Sequence, residues 1–157
     1  MSASDPQWLS AEERSAWLAL TGLLVRLPGA LDNQLERDDQ LSFFEYMVLA
    51  MLAEQPDQTL RMSALAELTN GSLSRLSHVV RRLENQGLVR RETCQEDRRA
   101  TNAILTEGGR ERVDAAAPGH VQHARELVVD AVAPEDLAIF GKVAWQILDR
   151  LGGWQQT

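Results

Sequence analysis

The chain has 157 residues, 44% of them hydrophobic and 25% charged, enough for one good core with appended helices and ordinary for a soluble globular protein. No apolar run approaches the ~20 residues that span a bilayer, and the opening Met-Ser-Ala-Ser-Asp-Pro-Gln lacks the basic-then-apolar order of a secretion signal, so the cytoplasm is the default location. The single cysteine, Cys94, excludes an internal disulfide framework, and a net charge of −7 argues on its face against nucleic acid.

Ser10 followed by Ala-Glu-Glu predicts a capped long helix in which Trp17, Leu20, Leu24, Leu27 and Leu31 keep the near-heptad spacing of a helix seeking a partner. Pro28-Gly29 should kink that helix or divide it. Ser42-Phe43-Phe44-Glu45 is a capping box opening a second helix, Phe43 to Ala53, apolar nearly all round and therefore the most buried. Pro56-Asp57-Gln58 predicts a turn into a short strand at Leu60 and Arg61. A short helix from Ala64 to Thr69 follows, closed by Asn70-Gly71, residues that readily take left-handed backbone. Ser72 caps the next helix, whose stripe of Leu73, Leu76, Val80 and Leu83 faces a core until Gly87 ends it.

Alternation at Val89, Arg91 and Thr93, then at Thr101, Ala103 and Leu105, predicts two antiparallel strands joined by Gln95 to Arg99. Thr106 caps a further helix, broken or bent near Pro118-Gly119 and continuing to about Val132. The last helix starts at Pro134 with acids Glu135 and Asp136 in its first turn, and Leu137, Phe140, Ala144, Ile147 and Leu151 again approach heptad spacing. The fold class is mainly α with a small β-wing. A winged helix-turn-helix over 43–105 is flanked by helices at 10–38 and 107–151.

A module this small cannot bury both terminal seams alone. Either they fold back on their own chain, or two chains interlock through Trp17, Leu20, Leu24, Leu137, Phe140, Ala144, Ile147 and Leu151 as a homodimer, the more economical solution. Such a dimer would read a near-palindromic site with half-sites about 34 Å apart.

Charge distribution carries more than its sum. Between Ser72 and Arg99, seven arginines face four acids, a local surplus of three that leaves −10 on the rest of the chain. A basic surface on an acidic body orients the molecule toward phosphate while discouraging indiscriminate coating of double-stranded DNA. Opposite the leucine stripe lie Ser74, Arg75, His78, Arg81, Arg82 and Asn85, with Ser77 on the flank. Ser74, Arg75 and His78, nearest the helix start, are candidates for base edges, and an arginine can bond bidentately to guanine. Arg81 and Arg82 suit phosphate, as does the Ser72 backbone amide. His78 as an idle surface histidine stays an alternative. At the wing tip, Glu96-Asp97-Arg98-Arg99 suggests that the Asp97 carboxylate accepts hydrogen bonds from the Arg99 guanidinium and presents Arg98 and Arg99 to the minor groove; an ordinary charged turn is the alternative.

Three segments then carry a resemblance. They are Met62-Ser63-Ala64-Leu65-Ala66, the run from Arg82 through Leu83-Glu84-Asn85-Gln86-Gly87-Leu88-Val89 to Arg91, and Glu96-Asp97-Arg98-Arg99-Ala100 through Leu105-Thr106-Glu107-Gly108-Gly109. With them the chain resembles the MarR family of winged-helix transcriptional regulators over nearly its whole length. The resemblance implies a dimer that represses, or in some relatives activates, nearby promoters and releases DNA when a small, often aromatic, acidic effector binds. It also implies an effector pocket between the dimerisation helices and the DNA module, with Trp17, Phe44, Tyr46, Met47 and Met51 as possible walls. The same residue types build a plain core, and that reading takes precedence.

Peroxide-sensing relatives carry a reactive cysteine in the first helix, which this chain lacks; Cys94 fits an inert strand residue better than a low-pKa thiol. His120, His123 and Glu126 share a spacing that one helix face offers to zinc, yet two such histidines are usually solvent residues, and no metal or other cofactor is expected. No nucleophile–base pair or phosphate-cradling glycine loop supports an enzyme, and Gly108-Gly109 is too short for one. A protein-interaction module is the other rival, and the outward arginines argue against it.

Overall fold

The computed structural model describes residues 7–152; the start of the opening heptapeptide, read above as carrying no secretion signal, lies outside them. Helix α1 (Ala11–Asp39) is followed by α2 (Phe43–Ala53), β1 (Thr59–Arg61), α3 (Met62–Leu68), α4 (Leu73–Asn85), β2 (Val89–Thr93), β3 (Thr101–Leu105), α5 (Glu107–Ala124) and α6 (Pro134–Leu151). The strands form one antiparallel sheet with β3 in the middle, Leu60 and Arg91 both standing opposite Ala103.

Both capping boxes form. Ser10 Oγ accepts from the Glu13 amide and Ser42 Oγ from the Glu45 amide, while each glutamate returns a bond to its cap residue's N–H. Satisfying orphan amides in this way fixes where each helix begins. No residue of α2 is exposed, and its Val48, Leu49 and Leu52 meet Leu35, Leu65, Leu76, Val80 and Leu83 in a single core.

Of the two outcomes expected at Pro28-Gly29 and Pro118-Gly119, division of the helix does not occur, since α1 and α5 are continuous through both prolines. Proline forfeits one backbone bond and crowds the carbonyl four residues earlier. Pro28 and Pro118 are both exposed, so the carbonyls they strand lie on the watered side of each helix. Beyond α5 the chain widens into a π-helical segment, Arg125–Val129, closed by the Asp130 amide on Arg125 O and by an Arg125–Asp130 ion pair.

The two terminal helices leave apolar surface uncovered. Only Leu31, Gln34 and Leu35 of α1 are buried, and α6 has no buried residue at all. Trp17, Leu24, Phe140, Ile147 and Leu151 are exposed, Leu24 by 65%, while Leu20, Leu137 and Ala144 are half-buried. The seams therefore do not fold back on their own chain.

The junction between wing and α5 depends on one glycine. Thr106 donates its hydroxyl to the Gly87 carbonyl (2.6 Å), accepts from the Gly109 amide (3.0 Å), and bonds its own amide to Leu88 O (3.1 Å). This draws α5 so close to the strand base that a Cβ on Gly109 would sit 2.0 Å from Leu88 O and 2.6 Å from Leu105 Cδ1. Gly108 would meet nothing nearer than 3.7 Å. Gly109→Ala should therefore cost at least about 2 kcal/mol in urea unfolding, and Gly108→Ala less than about 0.5 kcal/mol. Equal effects would contradict the close approach.

Candidate nucleic-acid interface

A tight turn sets α4 against α3. Asn70 adopts the left-handed conformation (φ 48°), the Asn70 amide bonds Glu67 O, and the Gly71 amide reaches Ala66 O at 2.9 Å. Ser72 then caps α4 by accepting from the Arg75 amide at 3.2 Å. Leu76, Val80 and Leu83 point into the core. Leu73, expected on that stripe, is instead 54% exposed. It occupies the first turn and lines a cleft of about 460 Å³ with Ser63, Glu67 and Asn70, so the buried stripe begins three residues later, at Leu76.

The outward face of α4 is as the helical wheel drew it: Ser72, Ser74, Arg75, His78, Arg81, Arg82 and Asn85 are exposed and Ser77 is half-buried. The arginines divide by partner. Arg82 Nε lies 3.1 Å from Glu45 Oε1, a carboxylate only 2% exposed, so the residue assigned from sequence to phosphate also fastens α4 to α2. Arg91 makes a two-pronged contact to Glu84 Oε2 (2.7 and 3.0 Å), and its amide bonds Glu84 Oε1, tying the end of α4 to β2 and holding the Glu84 carboxyl below its ordinary range. Arg90 pairs with Glu92. Among the described residues Arg75, Arg81, Arg98 and Arg99 have no ion-pair partner, and all four are exposed.

At the wing tip the expected carboxylate–guanidinium contact is absent. Asp97 Oδ1 accepts from the backbone amide of Arg99 (3.0 Å), while Asp97 O accepts from Ala100 N (2.9 Å). Asp97 thus shapes the loop through main chain, as aspartate does in turns, and leaves the Arg99 side chain unengaged. Cys94 is buried behind the loop with Arg61 Nη2 3.8 Å from its sulfur; backbone hydrogen bonds from Asp97 and Glu96, chiefly, push its thiol pKa down.

None of the five residues named for an effector pocket lines either of two clefts among the described residues. Trp17 lies on the exposed half of α1, Phe44 under Arg75 on the α4 side, Tyr46 in the core, and Met47 and Met51 half-buried along α2. A cleft of about 700 Å³ opens elsewhere, between Gln40, Arg82, Gln86 and the α5 residues Glu111 and Arg112. Arg112 Nε in that region is buried without a partner. His120 is no solvent residue: its ring lies 4.5 Å from Tyr46 and 5.9 Å from Phe43, and burial lowers its pKa. His123 instead approaches Glu126 at 3.8 Å, and no group of three or more potential ligands stands together among the described residues. No helix among them is long and apolar enough to cross a membrane.

Sequence reasoning missed Glu45 as an anchor and the stacking of Arg75 on Phe44. The first had a signal, since Glu45 is the only charged residue in the otherwise apolar run of α2.

A helix-turn-helix followed by a two-stranded wing, with a basic helix face turned to solvent, defines a winged helix-turn-helix protein. The model of the MarR family matches residues 39–100. Sco3205, a MarR family transcriptional regulator from Streptomyces coelicolor whose crystal structure was determined in complex with DNA, is 41% identical; the match covers 92% of this chain and 90% of that one, with a TM-score of 0.86. AbsC, a MarR family regulator from the same organism, is 39% identical over 95% of this chain and 100% of its own, with a TM-score of 0.87. The uncharacterized HTH-type transcriptional regulator YfiV of Bacillus subtilis (strain 168) is 31% identical over 130 residues, 82% of this chain and 78% of that protein. The chain belongs to the MarR family of transcriptional regulators, whose members are regulators rather than enzymes.

The Arg82–Glu45 contact separates anchoring from display along α4. Arg82→Ala strands a buried carboxylate and should lower stability by about 2 kcal/mol, less than a fully buried pair because Arg82 is itself largely exposed. Arg81→Ala should stay within about 0.5 kcal/mol of the parent in the same urea titration.

Proposed function

We propose that this chain is a cytoplasmic, sequence-specific repressor that binds double-stranded DNA as a homodimer on a near-palindromic operator and releases it when a small effector binds. The observation that carries the reading is the set of four exposed, unpaired arginines, two on α4 and two at the wing tip. Arginines already satisfied by carboxylates have fewer free donors for phosphate or base edges; these four keep theirs. Ser74, Arg75 and His78 read bases, while Ser72, Ser77 and Arg81 line the groove wall with Arg82 behind them. Arg98 and Arg99, on a loop shaped by Asp97, enter the minor groove. Sco3205, crystallised with DNA, supports the same use of the fold here.

Dimerisation is supported by the large apolar side chains left exposed on α1 and α6, among them Trp17, Leu24, Phe140, Ile147 and Leu151. Effector release rests on family membership. The cleft beside Arg82 and Arg112 supports an acidic, aromatic-sized ligand as the effector class.

The test is fluorescence anisotropy with a duplex carrying the region upstream of the protein's own gene. Between 50 and 200 mM salt, log affinity should fall against log salt with a slope of about −4 to −7, the range for two chains displaying four arginines each. Arg75→Ala should cut the operator-to-scrambled affinity ratio about tenfold, and Arg99→Ala should weaken both duplexes alike. A flat salt dependence refutes the DNA reading. Sedimentation should give twice the 17.5 kDa chain mass, and Ile147→Glu should return it to one.

A further inference from the structure

Arg75 differs from every other arginine near α4 in what holds it. Arg82, Arg90 and Arg91 are each held by a carboxylate, whereas the Arg75 guanidinium carbon lies 4.2 Å from the centroid of the Phe44 ring, well inside the range of a cation–π contact. The difference is chemical. A carboxylate occupies the edge N–H donors of a guanidinium, whereas a phenyl ring has no oxygen to accept them, and the Arg75 side chain makes no hydrogen bond or ion pair among the described residues. Bidentate recognition of guanine uses that edge.

The ring is in turn well fixed. Phe44 packs against the core, and the Phe43 amide beside it bonds Asp32 Oδ1 on α1 at 2.7 Å. The far edge of the ring touches the turn before α4, where a Cβ on Gly71 would come within 2.8 Å of Phe44 Cζ. A long side chain on an open helix face would otherwise sample many rotamers and lose that freedom on binding.

We propose that Phe44, on α2, is the positioning residue for base recognition: its ring orients the Arg75 guanidinium with its hydrogen-bonding edge free before DNA arrives. The proposal rests on the reading of α4 as the recognition helix. It takes Phe44 out of the effector pocket and makes it a determinant of sequence discrimination. Gly71 belongs to the same device, because it leaves room for the ring beneath the turn.

The experiment uses the full chain and two labelled duplexes, the operator region and a scrambled version of equal length. Phe44→Leu keeps an apolar side chain but removes the π face, and it should lower the operator-to-scrambled ratio about fivefold with the salt slope unchanged, because the charge of Arg75 remains. Phe44→His keeps a flat aromatic ring with no atom added at the crowded Cζ end, and in its neutral form, at about pH 8, it should keep the ratio closer to the parent's than Phe44→Leu does. Phe44→Leu combined with Arg75→Ala should discriminate no worse than Arg75→Ala alone. A parent-like ratio in Phe44→Leu, or losses that multiply in the double variant, overturns the proposal while leaving Arg75 as a base reader. A parent-like ratio in Arg75→Ala overturns the base-reading assignment itself. The stack is also measurable without DNA or variants: the Arg75 Nε–H proton should resonate upfield of that of Arg81 through the ring current of Phe44, and coincident shifts would refute the contact.

Discussion

The carboxylate of Glu45 holds two elements at once, and the orientation of the basic face of α4 follows from it. Its Oε2 accepts from the Ser42 amide and so fixes the first turn of α2; its Oε1 faces Arg82 across the interface with α4. A carboxylate this deeply buried needs a compensating charge: Oε1 has no hydrogen bond of its own, and the Arg82 guanidinium 3.1 Å away supplies that charge, so the start of α2 and the second half of α4 are tied together. Asp32 secures the same end of α2 to α1 through the Phe43 amide. Three helices thus meet at one helix start, and the basic face inherits its orientation from that meeting.

Around this anchor the arginines have divided their work. Arg82 and Arg91 join elements, and Arg110 donates to Ala53 O at the end of α2, where the helix dipole welcomes a cation. Within the stretch from Ser72 to Arg99 the unpaired ones are Arg75 and Arg81 on α4 and Arg98 and Arg99 on the wing. The surplus of three positive charges over this stretch therefore understates its directionality, because the acids it contains are largely spent on neighbouring arginines or, for Asp97, on backbone. An acidic chain with a basic edge is consistent with selective contact with a polyanion.

Local chemistry was the legible part of the sequence. Ser10, Ser42, Ser72 and Thr106 each cap the helix assigned to them, and the β2–β3 alternation survives residue for residue, because caps and pleats are short-range interactions. What escaped depends on surroundings. Pro28 and Pro118 failed to break their helices because both face water, which no spacing reveals. Leu73 is apolar by type and matches the stripe by period, yet the core ends before it reaches the first turn of α4. Asp97 has two candidate donors in Arg99, and only the loop's path decides in favour of the amide. The pairing of Glu45 with Arg82, 37 positions apart, and of Phe44 with Arg75 are tertiary matters altogether.

An unbroken α1 has a consequence for operator geometry. At about 1.5 Å per residue its 29 residues make a spar of about 43 Å, longer than one turn of duplex. In the homodimer proposed above, joined along α1 and α6, the separation of the two α4 helices would be set by helices that continue past Pro28. Inserting a single base pair between half-sites shifts one of them by about 3.4 Å and rotates it by about 35°. A jointed scaffold could follow that displacement by bending. If the proposed homodimer binds as argued above, a continuous scaffold would leave the DNA to twist instead, and half-site spacing would join base sequence as a determinant of recognition.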